Sequence, residues 1–154
     1  MSNNKKKLLA CASIGGHWIQ LLRLSKGLEN DYDIVYCSTY SKCATMVDGH
    51  GFYEISDFSR WNVWNLPFVF IRLVKIIRKE RPVAVFSTGA APGLTSLLVA
   101  KLFGIKTIWV DSVANVETLS ACGKIAKHFV DKVYTQWENL SDGKKVFYAG
   151  NIFG

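Results

Sequence analysis

Short apolar segments alternate along this chain with segments whose apolar residues recur at helical spacing, and this alternation constrains the fold more than any other feature. Residues 83–86 and 107–110 are nearly continuous apolar runs, as expected of strands buried on both faces of a sheet. Residues 17–28 and 63–81 instead have the spacing of amphipathic helices. Strands that alternate with helices form a parallel sheet with helices packed against it. The sequence therefore predicts a single Rossmann-like α/β domain over residues 1–154.

The complete set of predicted elements follows the same alternation. Strands are predicted over residues 8–13, 33–36, 52–55, 83–86, 106–110, 132–135 and 146–149. Helices are predicted over residues 17–28, 41–49, 63–81, 92–103 and 124–129. Pro82 ends the third helix and Pro92 begins the fourth, which are positions where helices tolerate proline.

Charge and hydropathy narrow the range of partners. Lys and Arg number 19 and Asp and Glu 12, a formal net charge of +7 that favours phosphates or an acidic membrane leaflet. No RNA- or DNA-binding module is recognisable, so we expect no nucleic-acid partner. No apolar stretch has the ~20 residues of a membrane span, and the three residues between Lys7 and Cys11 are too few for a signal peptide. We expect a cytoplasmic protein and, because no Cys or His pair has ligand spacing, no metal.

The turn after the first predicted strand is the most informative polar segment. Ligands of open parallel sheets bind beyond the carboxyl ends of the strands, and Ser13-Ile14-Gly15-Gly16-His17 joins a strand to a helix at that edge. Glycines let a ligand approach the backbone, and the helix N-terminus attracts phosphate. The segment is neither a GxGxxG fingerprint nor a P-loop. A tight turn without a ligand would use the same residues.

His17 is the candidate general base. The positive end of a helix dipole favours a neutral imidazole, which could take a proton from an acceptor hydroxyl. A helix-capping or supporting histidine is the alternative. His50 and His128 have no such setting, and we expect them on the surface.

Two further segments follow predicted strands at the same edge. Ser87-Thr88-Gly89-Ala90-Ala91-Pro92-Gly93 could cradle a phosphate or admit a sugar, although ordinary turn chemistry explains it almost as well. Asp111-Ser112 provides the only carboxylate at this edge in the second half of the chain. It could be a second base, an acceptor for sugar hydroxyls or a helix cap.

Aromatic and basic residues are concentrated in one amphipathic segment. Trp61, Trp64 and Phe68 precede Arg72 and Lys75. Aromatic side chains beside cations suit the headgroup region of an anionic bilayer, so we predict that these five residues face a membrane. A core helix with a solvated basic side is the alternative.

Several short motifs, taken in order, resemble those of a known family. They are Ser13-Ile14-Gly15-Gly16-His17, Phe86-Ser87-Thr88-Gly89, Trp109-Val110-Asp111-Ser112, Thr118-Leu119-Ser120 with Gly123-Lys124, Gln136-Trp137-Glu138 and Tyr148-Ala149-Gly150. Over nearly its whole length the chain resembles the PssD-type polysaccharide biosynthesis proteins of bacteria. These are relatives of the membrane-anchoring subunit of the two-part UDP-N-acetylglucosamine transferase of asparagine-linked glycosylation.

The resemblance implies the N-terminal, MurG-like half of a GT-B glycosyltransferase that is split into two chains. A donor-binding subunit, met through residues 149–154, would supply most UDP-sugar contacts. The reaction would add a sugar, with inversion, to a lipid-pyrophosphate-linked saccharide in exopolysaccharide, capsule or O-antigen synthesis, with no cofactor or metal besides the UDP-sugar donor. The chain would lie peripherally on the cytoplasmic face of the plasma membrane.

The residue arguments above and the resemblance together lead to a hypothesis for the site. His17, with Asp111 second, would act in catalysis. The substrate would contact Ser13, Ile14, Gly15, Gly16, Ser87, Thr88, Gly89, Gly93, Ser112 and Asn115.

Two departures qualify these assignments. The eukaryotic relatives carry an N-terminal anchor that has no counterpart here, so we expect peripheral attachment. They also have Glu-Ser followed by Arg, where this chain has Asp111-Ser112 and Asn115.

The competing interpretations are a non-catalytic subunit that recruits a separate catalytic chain to the membrane, and a free-standing nucleotide-binding enzyme such as a small reductase.

Overall fold

The computed structural model describes residues 4–59 and 61–153, and the predicted fold class is confirmed in them. The strands are β1 (Lys7–Ala12), β2 (Asp33–Ser38), β3 (Phe52–Glu54), β4 (Ala84–Gly89), β5 (Lys106–Val110), β6 (Lys132–Thr135) and β7 (Val146–Tyr148). The helices are α1 (Gly16–Lys26), α2 (Leu66–Glu80), α3 (Ala90–Leu102) and α4 (Ala121–Ala126). Short 3-10 turns cover Ser41–Met46, Val63–Asn65 and Glu138–Leu140. The predicted domain also includes residues 1–3, 60 and 154, which lie outside the described part.

The seven strands form one parallel sheet in the order β3-β2-β1-β4-β5-β6-β7. The chain builds outward from β1 to β3 and then returns to add β4 on the other side of β1. The strand order therefore reverses between β1 and β4, where Cys11 pairs with Ser87 and Ala12 with Gly89. Open α/β sheets bind their ligands at such a reversal, beyond the carboxyl ends of the strands.

Side chains of alternate strand residues pack into two apolar clusters, one on each face of the sheet. Leu9 and Cys11 of β1 join the cluster that packs against α2, α3 and α4. Leu8 and Ala10 join the cluster under α1, where Trp18 is the largest buried side chain. Crossover helices run antiparallel to the strands, so α1, α2 and α3 all begin at the carboxyl edge of the sheet.

The largest difference from the predicted elements lies around β4. This strand continues to Gly89 and α3 begins at Ala90, so Ser87, Thr88 and Gly89 belong to the strand and not to a loop. Small residues and glycine made the segment resemble a turn, but pairing with β1 keeps it extended. The turn into α3 is consequently abrupt, and Ala90 takes a positive φ of 67°.

The predicted helix over residues 63–81 is shorter in the structure. A 3-10 turn precedes α2, which ends at Glu80, and Arg81 caps it in the left-handed conformation before Pro82. The buried face of α2 consists of Val69, Leu73, Ile76 and Ile77. Within the described residues, no helix is long and apolar enough to cross a bilayer.

Candidate functional site

The glycine turn after β1 presents open backbone at the reversal of the sheet. Gly15 has a φ of 98°, which favours glycine, and α1 begins at Gly16. A Cβ built on Gly15 or Gly16 would meet no atom within 4 Å, so both peptides face free space. Ile14 beside them is exposed, and its amide donates to Thr39 Oγ1 at 3.3 Å. The predicted turn is therefore accessible to a ligand, whereas Ser13 is largely buried.

Two hydrogen bonds of His17 connect this turn to the end of β4. Its Nδ1 lies 3.1 Å from the carbonyl oxygen of Thr88, and Thr88 Oγ1 donates to the carbonyl of His17 at 2.6 Å. A carbonyl only accepts, so Nδ1 carries the proton in this contact and the neutral ring keeps its lone pair on Nε2. The structure thus brings His17, Thr88 and Gly89 together at the carboxyl edge of the sheet.

The position of the His17 ring requires a glycine at residue 89. A Cβ at Gly89 would lie 2.0 Å from His17 Nδ1 and 2.4 Å from Cε1. The imidazole therefore lies directly on the backbone of β4. The absence of a side chain at Gly89 therefore makes room for the ring, and the contact with the Thr88 carbonyl orients it.

Ser87 and Gly93 lie beneath this contact. Ser87 and Thr88 are fully buried, and Ser87 Oγ accepts from the amide of Gly89 at 3.3 Å. A Cβ on Gly93 would come within 2.0 Å of Ser87 Oγ. Their burial favours a supporting role under the site and not the direct substrate contacts that we predicted.

Asp111, the second candidate base, is buried and fully engaged. It is 1% exposed, and its carboxylate accepts from Trp109 Nε1 at 2.9 Å, from Ser120 Oγ at 2.5 Å and from the amide of Ser120 at 2.9 Å. Ser120 in turn caps α4 by accepting from the amide of Gly123. Among the three roles left open, this geometry favours structural capping, and His17 alone is retained as the candidate base.

The loop that carries Ser112 and Asn115 is held by two side chains that sequence reasoning did not assign to the site. Gln20 Nε2 donates to the carbonyl of Asp111 at 2.8 Å, and Trp137 Nε1 donates to the carbonyl of Val113 at 2.8 Å. Gln20 follows His17 by three residues, which places both on neighbouring parts of one helix face. A buried polar residue within an apolar helix stripe was the available signal.

The predicted aromatic–basic surface (Trp61, Trp64, Phe68, Arg72 and Lys75) is exposed in the structure. Trp64 is 72% and Phe68 is 70% exposed. Trp64 lies in the 3-10 turn before α2, and Phe68 lies in the first turn of α2. Because α2 begins at the carboxyl edge of the sheet, both residues lie at the same edge as His17. Arg72 stacks over the Tyr53 ring at 5.7 Å, which fixes one cation of the surface.

The described part of the C-terminal tail, residues 149–153, folds back on the domain. The amide of Ile152 donates to Gln136 Oε1 at 2.8 Å, and the Arg23 guanidinium lies 4.5 Å from the centre of the Phe153 ring. A groove of about 750 Å³ lies between this tail and the sheet face formed by Phe86, Ile108 and Val110. Across the described residues, no group of three or more His, Cys, Asp and Glu side chains is arranged to hold a metal ion.

The fold and the open turn at its strand reversal define a class, the Rossmann-like halves of GT-B proteins. The chain superposes on the crystal structure of MurG from Acinetobacter baumannii with a TM-score of 0.78 and 14% identity, over 94% of this chain and 45% of that one. Residues 63–152 match the family described as "Oligosaccharide biosynthesis protein Alg14 like". The chain belongs to this Alg14-like family.

Two relatives extend the match beyond the family segment. The mouse UDP-N-acetylglucosamine transferase subunit ALG14 is 26% identical over 181 aligned residues, covering 95% of this chain and 82% of the relative. The UDP-N-acetylglucosamine–N-acetylmuramyl-(pentapeptide) pyrophosphoryl-undecaprenol N-acetylglucosamine transferase of Geobacillus kaustophilus is 25% identical, over 96% of this chain. The chain spans 45% of that transferase.

Proposed function

We propose that the chain is the acceptor-side subunit of a two-chain glycosyltransferase of the PssD type. The pair transfers a sugar from a UDP-sugar to a lipid-pyrophosphate-linked saccharide in bacterial exopolysaccharide, capsule or O-antigen synthesis. The observation that carries the proposal is His17, whose Nδ1 is engaged by the Thr88 carbonyl at the open edge of the sheet. The relatives' names supply the sugar-transfer chemistry and the subunit character.

The proposed reaction uses the free nitrogen of His17. The acceptor hydroxyl oxygen attacks the anomeric carbon of the donor sugar from the face opposite the UDP group, so the configuration inverts. The bond from this carbon to the phosphate oxygen breaks, UDP leaves with the electron pair, and the hydroxyl proton moves to His17 Nε2. The Thr88 carbonyl orients the ring and stabilises the imidazolium that forms. The proposed step uses no metal and no cofactor besides the UDP-sugar donor.

The glycine turn is proposed to hold the pyrophosphate of the lipid acceptor. Open space beside Gly15 and Gly16 lets a phosphate approach the backbone, and the N-terminus of α1 favours negative charge there. His17 is the second residue of α1. An anchored pyrophosphate would therefore bring the attached saccharide near Nε2.

The second chain is proposed to dock at the C-terminal tail and supply the UDP-sugar contacts. The groove beside residues 149–152 is lined mainly by apolar side chains of β4, β5 and β6. Among the described α-helices, only α1 packs on this face of the sheet, where it lies over β1 and β4. Residue 154 of the predicted docking tail lies outside the described residues.

The aromatic–basic surface is proposed to hold this site at the cytoplasmic face of the plasma membrane, without a spanning segment of the described chain. Its aromatic residues suit the interface, and Arg72 and Lys75 suit anionic headgroups. Because the aromatic end of the surface and His17 lie at the same edge of the sheet, a bilayer there would present its lipid-linked acceptor to the site.

Replacing Trp64 and Phe68 together by Ala should weaken binding to phosphatidylglycerol vesicles at least ~10-fold. The reason is that each aromatic side chain inserted into the bilayer contributes on the order of 1.4 kcal/mol or more to the binding free energy. The measurement is co-sedimentation at low and high salt. Leu102→Ala is the matched control, since Leu102 is 68% exposed but ends α3 at the opposite edge. Equal binding by the double variant and the control would contradict the membrane role.

The function itself is tested by reconstitution. The chain is mixed with a donor-side chain of the same genome, with radiolabelled UDP-N-acetylglucosamine as donor probe and the organism's membrane lipid extract as acceptor. We expect label in the lipid fraction only when both chains are present. Equal transfer by the donor-side chain alone with detergent-solubilised lipid would instead identify a recruiting subunit, and turnover of a soluble substrate by this chain alone would refute the proposal.

A further inference from the structure

Gln20 is an unusual residue for the buried side of α1. It is 1% exposed and lies among Trp18, Leu21 and Ser25 on the face that packs into the domain. A buried amide is costly unless both its ends are satisfied. The side chain therefore requires polar partners, and it finds them outside its own helix.

Both ends of the Gln20 amide bind one short stretch of backbone. Nε2 donates to the carbonyl of Asp111 at 2.8 Å, and Oε1 accepts from the amide of Val113 at 3.3 Å. A side-chain amide that pairs with the carbonyl of one residue and the amide of the next but one imitates an additional strand. It therefore fixes the backbone where the chain leaves β5 and enters a turn, in which the amide of Asn115 donates to the carbonyl of Ser112 at 3.1 Å.

A second side chain holds the same stretch from the other side. Trp137, which follows β6, donates from Nε1 to the carbonyl of Val113 at 2.8 Å. Val113 thus has its amide bound by α1 and its carbonyl bound by the segment after β6. Ser112 and Asn115 flank it, and both remain partly exposed at the carboxyl edge of the sheet.

We infer that Gln20 and Trp137 are positioning residues that fix the 112–115 loop relative to His17. The inference rests on the proposed function, and it assigns this loop to the acceptor saccharide. Gln20 and His17 lie within one turn of α1, so the amide transmits the position of the helix start directly to the loop. A saccharide between His17 and residues 112–115 then meets a preformed surface instead of one that must be ordered on binding.

The experiment uses the reconstituted pair and compares three variants. Gln20→Met keeps the size of the side chain and removes both of its hydrogen bonds. Trp137→Phe removes the hydrogen bond from Nε1 to the Val113 carbonyl. Thr107→Val is the matched control, because it also removes two side-chain hydrogen bonds, here partly buried ones to Asp131 at the opposite end of β5. Acceptor and donor kinetics are measured with the membrane lipid extract and UDP-N-acetylglucosamine, and hydrogen exchange of residues 111–119 is measured on the isolated chain.

We expect Gln20→Met and Trp137→Phe each to raise the acceptor KM roughly 10-fold while leaving the UDP-N-acetylglucosamine KM within about twofold. Both should accelerate exchange over residues 111–119, whereas Thr107→Val should do neither despite a comparable loss of melting temperature. If Gln20→Met does not fold, Trp137→Phe decides alone. Acceptor kinetics like those of Thr107→Val overturn the inference while leaving the proposed function intact. A wild-type pair that transfers no sugar overturns both.

Discussion

His17→Ala should reduce sugar transfer by the reconstituted pair by a factor of ~10²–10⁴, the range that a positioned general base contributes. The reason is that Nε2 is the ring nitrogen left free by the contact between Nδ1 and the Thr88 carbonyl. Folding should change little, since the substitution removes one partly buried hydrogen bond, a loss of about 1 kcal/mol. Initial rates with saturating UDP-N-acetylglucosamine measure the effect.

Two companion variants separate catalysis from structure. His17→Asn retains an amide donor near the position of Nδ1 but has no basic nitrogen at Nε2, so it should keep the Thr88 contact and lose transfer to the same extent. His128→Ala removes an exposed histidine outside the site and should behave as wild type. Transfer by His17→Ala within a few fold of wild type would remove His17 from the catalytic role and favour the recruiting interpretation.

The sheet could be predicted closely because its strands satisfy a local rule. Strands β5 and β6 have the predicted bounds, since each is a short run of strand-forming residues with polar or turn-forming neighbours. β4 was predicted too short. Its last residues, Ser87 to Gly89, remain extended because β1 pairs with them, and that partner lies more than seventy residues away in the chain.

The site was predictable only in part, for the same physical reason. The glycine turn and His17 could be predicted because their residue types stand at a junction between a predicted strand and a predicted helix. The role of Asp111 depends on Ser120 and Trp109 closing around its carboxylate, and the role of Gln20 depends on backbone that follows it by 91 residues. Hydrogen bonds between distant segments leave no periodic signal, so capping and clamping residues cannot be told from catalytic ones by pattern.

Gly89→Ala should reduce transfer nearly as far as His17→Ala, by on the order of 10²-fold, although the substitution adds only one methyl group. The new Cβ would lie 2.0 Å from Nδ1, 2.4 Å from Cε1 and 2.6 Å from Cγ of His17, all far inside contact distance. β4 is held by its pairing with β1 at this point, so the imidazole must leave its place. Gly27→Ala is the control, because its Cβ would meet only the carbonyl of Leu24 at 3.8 Å.

A double-mutant cycle distinguishes displacement of His17 from general damage to β4. If the methyl group acts by expelling the imidazole, His17→Ala/Gly89→Ala should be no less active than His17→Ala, because there is no ring left to displace. The double variant should also melt at a higher temperature than Gly89→Ala, since removal of the ring makes room for the methyl group. Additive losses in both activity and melting temperature would mean instead that the substitution distorts the strand, and that the contact between Gly89 and His17 is not what holds the proposed base in place.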